Sequence, residues 1–369
     1  MYLEAQRFYV FLLIATFLSA LGYYVVFEPT SPLLSLGHLS LPKWAAREKY
    51  AYATFLGPPT SENSSTADPA ALLKDPYFIS VRLLNYQIQY AEKTRTRLTN
   101  TPFLVLVLPS VPASQIAVLK KEGATIIPIE PLDLPEAFNQ NFINNSRFRD
   151  VLAKLRLWEL TSWDKVLYLD ADSFLLKGLD GLFTEEELSG MQVTLPENGT
   201  EGEGRAGKAR LDPPETYLMA ASTDTYGDQT PWEEDPANHP PYLCACFMLF
   251  APSSRLLLYY LSVLNSPEAP RDAYYPEQDL LIYVHRKEGR MPWRRIPVTW
   301  SANDGEMNEE YALKGGVKSL HVKGWEGAEG GNVANDKYKN MWRDLVKEME
   351  DWWRERGRWD GLGGIGWGE

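Results

Sequence analysis

Apolar runs and helical patterns alternate along the first third of the chain, and this alternation limits the fold more than any other feature. Nearly continuous apolar runs at residues 50–56, 102–108 and 124–129 indicate buried strands. Between them, residues 75–92 and 114–122 carry apolar side chains at helical spacing. Strands and helices in this order predict an α/β domain with a Rossmann-like, mostly parallel sheet flanked by helices.

The pattern continues through the rest of the chain with one long polar interruption. Further helices are predicted within 149–162, 256–264, 272–285 and 338–353, and further strands at 165–169, 242–250 and 316–322. Residues 185–239 are polar and rich in Gly, Pro and Glu, which predicts an insertion or a lid. We predict one large catalytic domain at 49–355, followed by a flexible tail at 356–369.

The N-terminus contains an uncharged apolar segment. No charged residue occurs at 8–27, and about 20 apolar residues suffice to cross a bilayer as a helix. We therefore predict a cytoplasmic tail at 1–7, a transmembrane anchor at 8–27 and a Pro- and Ser-rich stem at 28–48, with everything beyond the anchor luminal. Secretion after cleavage is the alternative, because Ala20-Leu-Gly22 resembles a signal-peptidase site.

The net charge and the two cysteines disfavour a nucleic-acid-binding protein, a disulfide framework and a zinc site. The formal net charge of -12 disfavours a nucleic-acid partner, which requires a concentrated basic surface. Cys244 and Cys246, the 2 cysteines of the chain, are separated by one residue. This spacing predicts no disulfide framework and a poor zinc site, so we expect two buried strand residues. Glycosylation triplets at Asn63, Asn144 and Asn198 agree with a luminal domain.

Asp170 and Asp172 follow the strand predicted at 165–169. Two carboxylates at this spacing can reach one cation if the strand opens into a turn, and hard oxygen ligands suit Mg²⁺ or Mn²⁺. Such an ion neutralises a diphosphate, the leaving group of a nucleotide sugar. The alternative is that both aspartates only cap the turn.

Two other enzyme classes are disfavoured by single positions. A dehalogenase-type phosphatase is disfavoured because Phe174 occupies the position where that class needs Thr or Ser. A dinucleotide-binding dehydrogenase is disfavoured because Gly57 stands alone after the first strand.

Residues 149–183 closely resemble the glycogenin-like family of retaining glycosyltransferases, family 8. A helix bearing Lys154, a strand, the segment Asp170-Ala-Asp172 and Leu182-Phe183 follow one another as in that family. A weaker correspondence extends over most of residues 50–325. The resemblance implies a glycosyltransferase A-type fold in a fungal-type, membrane-anchored member of the family.

The resemblance also implies roles for individual residues. It places the metal ion on Asp170, Asp172 and His321. The residues that it implies in donor binding are Thr54, Phe55, Leu56, Lys154, Ala171, Lys323 and Gly324. Lys154, Gln278 and Asp279 are implied to be catalytic, and Glu277 joins Asp279 as a candidate for orienting sugar hydroxyls.

Plainer alternatives exist for several of these residues. Lys154 could be a solvated helix charge, and His321 a partly buried histidine of a strand. Glu277 and Asp279 could reflect only the preference of helix N-termini for acidic side chains.

The sequence departs from the family pattern at two places. Cys244 replaces an asparagine that contacts the sugar, which puts that contact in doubt. Trp325 begins a continuation that lacks the family's diphosphate-binding lysine, and Lys323 is its candidate substitute.

The function implied by the resemblance is transfer of a sugar from a UDP-sugar, with retention, to a glycan, glycolipid or glycoprotein acceptor. It implies Mn²⁺ or Mg²⁺ as cofactor and allows a homodimer. Together with the predicted anchor, it implies a type II membrane hexosyltransferase of the Golgi or another secretory-pathway membrane. The alternative is a non-catalytic, membrane-tethered glycan- or nucleotide-binding protein with a degenerate site.

Overall fold

The computed structural model describes residues 48–59, 72–132, 150–196, 211–224, 242–266, 275–303, 313, 316–325, 327–328 and 333–357. All of them belong to one compact unit that begins at Glu48. The predicted tail 1–7, the anchor 8–27 and the stem as far as residue 47 lie outside these ranges, as do the three glycosylation triplets and residues 358–369. Among the described residues, no helix has both the length and the apolar character needed to cross a membrane.

A seven-stranded sheet forms the centre of the unit, with the strand order β10-β8-β9-β4-β1-β2-β3. Its strands are β1 (Tyr50–Leu56), β2 (Phe103–Val107), β3 (Thr125–Pro128), β4 (Lys165–Leu169), β8 (Met219–Asp224), β9 (Tyr242–Phe250) and β10 (Arg294–Arg295). β9 pairs antiparallel with both of its neighbours, and the remaining pairs are parallel. The predicted mostly parallel α/β sheet is therefore confirmed.

Most of the described helices begin where the sequence supplies a cap or a proline. They are α1 (Pro76–Gln89), α2 (Ala113–Lys121), the one-turn α3 (Glu186–Ser189), α4 (Ser254–Leu264), α5 (Pro276–Val284) and α6 (Asp336–Glu355). The Asp75 side chain accepts a hydrogen bond from the Phe78 amide at the start of α1, and Ser253 caps α4 in the same way. Proline occupies the first turn of α1 and α5, where its missing N–H costs no intrahelical bond.

Smaller sheets lie outside the central one. β5 (Ser173–Leu175), β11 (Ala302–Asn303) and β12 (Ser319–His321) form a three-stranded sheet in the order β11-β12-β5, and β6 (Gln192–Val193) pairs with β7 (Thr216–Tyr217). β5 directly follows the predicted acidic turn. Its antiparallel pairing with β12 brings a late part of the chain back to the end of β4.

A second apolar core joins α6 to α1. Tyr338, Trp342, Met349 and Trp353 of α6 are buried in one cluster with Leu83 of α1. The helix predicted at 338–353 is thus confirmed, and Trp342 and Trp353 pack inside the protein. This core supports the three-stranded sheet, because Phe174 and Leu320 belong to the same cluster.

Two sequence predictions need correction. The segment predicted as an amphipathic helix at 149–162 contains a 3₁₀ helix, Leu152–Glu159; residue 149 is not described. The polar segment 185–239 is more than an insertion or a lid, because it contains β8 of the central sheet. Met219, Ala220 and Ala221 of β8 are fully buried. A short strand of small side chains has weak apolar periodicity, and the polar residues around it dominate the pattern.

Candidate functional site at the carboxyl end of strand β4

Strand β4 delivers the two aspartates to the edge of the central sheet. All five of its residues are buried, and it ends at Leu169. The Asp170 amide donates a hydrogen bond of 2.8 Å to the Cys246 carbonyl of β9, and the Ser173 amide donates one of 3.1 Å to the Asp170 carbonyl. The first bond continues the pairing of β4 with β9, and the second closes the turn from β4 into β5. Both carboxylates consequently lie at the carboxyl end of a parallel strand, where open α/β sheets bind ligands.

His321 reaches the same place from the far end of the sequence. It pairs with Ser173 in the antiparallel β5–β12 ladder, and the Val322 amide donates a 2.9 Å hydrogen bond to the Asp172 carbonyl. Its Nε2 atom lies 3.1 Å from Asp172 Oδ1 and 3.8 Å from Asp170 Oδ2. The structure therefore brings the three predicted metal ligands together, although Asp172 and His321 are 149 positions apart in the sequence.

The donor set fits a hard divalent cation. One ligand atom from each of Asp170, Asp172 and His321 lies within 4.8 Å of the others. Two carboxylates and an imidazole suit Mn²⁺ or Mg²⁺, and both ions retain positions for water or phosphate oxygens. A turn cap alone would not explain a buried histidine facing both carboxylates, so the geometry favours the metal interpretation of the two aspartates.

Asp172 is held in its charged form. Burial by itself raises the pKa of its carboxyl, but the charge and hydrogen bond of His321, with the charge of Lys323, outweigh burial and lower the pKa to about 2. Only 12% of the Asp172 side chain is exposed. The carboxylate is ready to bind a cation without first losing a proton.

Lys154 is not the solvated helix charge of the plainer alternative, because its side chain is only 11% exposed. Its Nζ lies 2.8 Å from Asp170 Oδ1 and 3.3 Å from Glu277 Oε1. Burial lowers the pKa of Lys154, but the two carboxylates outweigh burial and raise it overall. A charged ammonium therefore links the metal-site aspartate to α5.

The first turn of α5 carries three polar side chains in succession, Glu277, Gln278 and Asp279. Glu277 is buried, and burial raises its pKa against the opposing effect of Lys154. Its Oε2 atom has no hydrogen-bond partner. Gln278 Oε1 accepts a 2.8 Å bond from the Ala245 amide, and Asp279 accepts bonds from the Tyr242 hydroxyl and the Tyr275 amide. Gln278 and Glu277 thus join the cluster, whereas Asp279 is engaged with residues at the start of β9 and α5.

Cys244 and Cys246 correct a third expectation. Both are buried strand residues, as predicted, but they form a disulfide with each other. The pairing of β8 with β9 shifts between Ala221 and Ser222, which leaves residues 245–247 without partners on β8. This bulge shortens the distance between the two cysteine Cα atoms to 5.2 Å, a separation that a disulfide can bridge. A one-residue spacing on a regular strand gives no such signal.

The residues predicted to bind the donor lie at the same sheet edge. Thr54, Phe55 and Leu56 end β1, the neighbour of β4, and Thr54 donates a 2.8 Å hydrogen bond to the Leu169 carbonyl. All three side chains are buried, as is Ala171 between the two aspartates. Their roles toward a nucleotide remain predictions.

Lys323 and Gly324 follow His321 closely. Lys323 is buried and contributes positive charge near Asp172. Packing against α6 requires a glycine at position 324, because an added Cβ would lie 2.4 Å from Trp342 Cβ. The glycine therefore lets the chain after β12 pass close to α6.

Sequence reasoning missed Tyr168. Its hydroxyl donates a 2.5 Å hydrogen bond to Asp170 Oδ1, and its ring lies 5.6 Å from Lys154 Nζ. Burial first, and then the charge of Asp170, raise the pKa of this phenol, so it acts as a donor that orients the carboxylate. A tyrosine in a strand buried on both faces was the available signal, because a buried hydroxyl requires a partner.

Comparison with known proteins identifies distant relatives. The chain is 24% identical over 332 residues to an uncharacterised protein of Schizosaccharomyces pombe, across 84% of this chain and 79% of that protein. It is 27% identical over 188 residues to galactinol synthase 1 of Solanum lycopersicum, across 49% of each protein. No protein-family model matches the chain.

Among solved structures, the galactosyltransferase LgtC in complex with donor and acceptor sugar analogues aligns with 83% of this chain and 99% of its own. The TM-score is 0.47 at 15% identity.

Proposed function

We propose that this chain is a hexosyltransferase that takes a sugar from a nucleotide-sugar donor and uses a divalent cation held by Asp170, Asp172 and His321. The observation that carries the proposal is the convergence of these three side chains at the carboxyl end of β4. The similarity to galactinol synthases, which extends over about half of the chain, supports the same class of reaction. An A-type glycosyltransferase fold is part of the proposal.

The site chemistry suits departure of a diphosphate. A bound Mn²⁺ or Mg²⁺ would supply positive charge to the phosphate oxygens as the sugar leaves. Lys323 is a second nearby positive group, and it is our candidate for the family's missing diphosphate-binding lysine. Phe55, at the end of β1, is our candidate for contact with the base, which we propose to be uracil.

The sugar itself is proposed to lie toward α5. Glu277 and Gln278 follow one another there, and Lys154 connects Glu277 to Asp170. Glu277 Oε2 is a buried carboxylate oxygen without a hydrogen-bond partner, and such an oxygen is stabilised by a donor such as a sugar hydroxyl. We place Lys154, Gln278 and Asp279 in the catalytic machinery and expect retention of configuration.

We further propose a type II membrane protein with its catalytic unit in the lumen of the Golgi or a related compartment. The uncharged segment 8–27 supports an anchor. The Cys244–Cys246 disulfide supports an oxidising compartment, because such bonds persist mainly in secreted and luminal proteins. The acceptor is proposed to be a glycan, glycolipid or glycoprotein.

The deciding experiment measures UDP release from a panel of UDP-sugars by the purified full-length protein with Mn²⁺. The double variant Asp170→Asn/Asp172→Asn removes both carboxylate ligands, and we expect its rate to fall by roughly 10²-fold or more. The matched control Asp344→Asn/Glu355→Gln removes two exposed carboxylates of α6 and should retain the wild-type rate.

Two results would contradict the proposal. Wild-type activity in the double aspartate variant would remove the metal site from the reaction. A folded wild-type protein that binds a nucleotide sugar but neither hydrolyses nor transfers it would instead favour the non-catalytic binding protein.

A further inference from the structure

The bulge of β9 places both cysteines of the chain against the carboxylate site. Cys244 and Cys246 are 4% and 2% exposed. Two hydrogen bonds, one from α5 and one from the end of β4, hold the backbone of Ala245 and Cys246. The Ala245 amide donates to Gln278 Oε1, and the Cys246 carbonyl accepts from the Asp170 amide, each at 2.8 Å. Because these bonds involve backbone atoms of the bulge, its shape does not depend on the disulfide alone.

His321 belongs to two sets of metal-ligating side chains. One ligand atom each from Cys244, Cys246 and His321 lies within 4.8 Å of the others, and the same holds for Asp170, Asp172 and His321. The first set offers two sulfur atoms and an imidazole, whereas the second offers two carboxylates and the same imidazole. The sets therefore differ in the kind of cation that they prefer.

We propose that reduction of the Cys244–Cys246 disulfide creates a second metal site, in which two thiolates and His321 bind a soft divalent cation such as Zn²⁺. A dithiol reductant supplies two electrons and two protons, the S–S bond breaks, and two thiols form while the reductant becomes a disulfide. The cation then displaces a proton from each thiol to water. Three protein ligands complete all but one position of a tetrahedral zinc centre.

The position of this site has a consequence for the carboxylate site. Thiolates select Zn²⁺ over Mn²⁺ and Mg²⁺, which prefer oxygen ligands. A zinc ion on Cys244 and Cys246 engages His321, so it competes with the hard cation for that imidazole. The chain then has a redox-dependent way to weaken its own hard-metal site. The zinc site stands on the geometry alone, and only its effect on sugar transfer rests on the proposed function.

Cobalt(II) provides the direct probe, because thiolate-bound cobalt has a sulfur-to-metal charge-transfer band in the near ultraviolet. The full-length protein is titrated with Co²⁺ in two forms, as the disulfide and after reduction by a dithiol that is removed without air. The chain contains 2 cysteines, so any such band reports this pair. We expect one equivalent of Co²⁺ with the band in the reduced form and no band in the oxidised form, and Zn²⁺ should abolish the band stoichiometrically.

Three variants separate the two ligand sets. Cys244→Ser should lose the cobalt band and still bind Mn²⁺, measured by electron paramagnetic resonance. Asp172→Asn should keep the band in its reduced form and lose Mn²⁺ affinity. His321→Ala should weaken cobalt binding by roughly 10-fold or more, the size of effect that even an indirect metal contact contributes.

The proposal is overturned by any of three results. The first is a reduced, folded protein without the cobalt band, with folding checked by far-ultraviolet circular dichroism. The second is unfolding on reduction, which would make the disulfide a structural crosslink. The third is equal cobalt affinity in wild type and His321→Ala. Because none of these measurements uses a donor sugar, they are independent of whether the chain proves to be a transferase.

Discussion

Replacing Lys154 by methionine tests the charge arrangement at the centre of the site. The substitution keeps the length of the buried side chain and removes an ammonium that lies 2.8 Å from Asp170 Oδ1 and 3.3 Å from Glu277 Oε1. Glu277, whose side chain is 4% exposed, then has no countercharge at that position. Removing one partner of a buried ion pair costs about 3–5 kcal/mol in unfolding free energy.

This cost corresponds to a measurable change in melting temperature. The unit Glu48–Glu369 spans roughly 320 residues, and an unfolding entropy of about 2.1 cal/mol/K per residue gives about 0.7 kcal/mol per kelvin. A loss of about 4 kcal/mol therefore lowers the melting temperature by about 6 °C. Differential scanning calorimetry of the wild type and Lys154→Met measures the shift directly.

Manganese distinguishes a site effect from a general loss of packing. Without the ammonium, Asp170 loses the positive group that lies 2.8 Å from its Oδ1. A cation bound at Asp170 replaces part of that charge, so we expect Mn²⁺ to raise the melting temperature of Lys154→Met more than that of the wild type. The control is Lys165→Met at the opposite end of β4, where Lys165 pairs at 2.8 Å with Glu48, whose side chain is 49% exposed. Its Mn²⁺ response should match the wild type. An unchanged melting temperature in Lys154→Met, or equal Mn²⁺ responses in all three proteins, would refute the reasoning.

Further predictions concern acid stability, packing and stereochemistry. Burial lowers the pKa of His285 to about 4 from its ordinary 6.5. The unfolded chain therefore binds the extra proton first, and stability falls as pH drops from 6.5 through 4 by about 3 kcal/mol. Denaturant titrations of His285→Gln at pH 7 and pH 4 should lack this component, and a loss equal to wild type would contradict it. Gly324→Ala should lower the unfolding free energy by about 1–3 kcal/mol, because the added Cβ would overlap Trp342. An unchanged denaturation midpoint would contradict this and show that α6 can move to accommodate the added methyl group. Arg82→Met should cost about 3–5 kcal/mol by leaving Glu122 buried without its ion pair, and a loss below about 1 kcal/mol in the same titration would contradict this. NMR of the transferred sugar should show retention, and an inverted product would exclude the proposed stereochemistry.

Local patterns predicted most of the regular structure correctly. The strands at Tyr50–Leu56, Lys165–Leu169 and Tyr242–Phe250 agree with the predicted ranges. These runs are rich in apolar side chains, and nearly all of their residues are buried. The prediction of an amphipathic α-helix over 149–162 was wrong, because the spacing of apolar residues alone does not distinguish an α-helix from a 3₁₀ helix. β8 was missed because Ala220, Ala221 and Ser222 carry little apolar signal.

Only part of the candidate site could likewise be predicted from local sequence. Asp170 and Asp172 could be identified from the sequence, since a strand-to-turn boundary is a local property. Lys154 and His321 were attached to them only through a family resemblance, and their neighbours could not be deduced. A salt bridge between Lys154 and Glu277 depends on how the 3₁₀ helix and α5 pack against the sheet.

The sequence by itself determined an α/β sheet and a pair of carboxylates at the end of one buried strand, because both depend on side-chain order over a few consecutive residues. Tertiary structure decided which distant groups meet those carboxylates. The β5–β12 pairing brings His321 to Asp172. The bulge in β9 brings Cys244 and Cys246 within bonding distance beside the same histidine. Strand register and bulges arise from packing across the whole sheet, and no short stretch of sequence contains them.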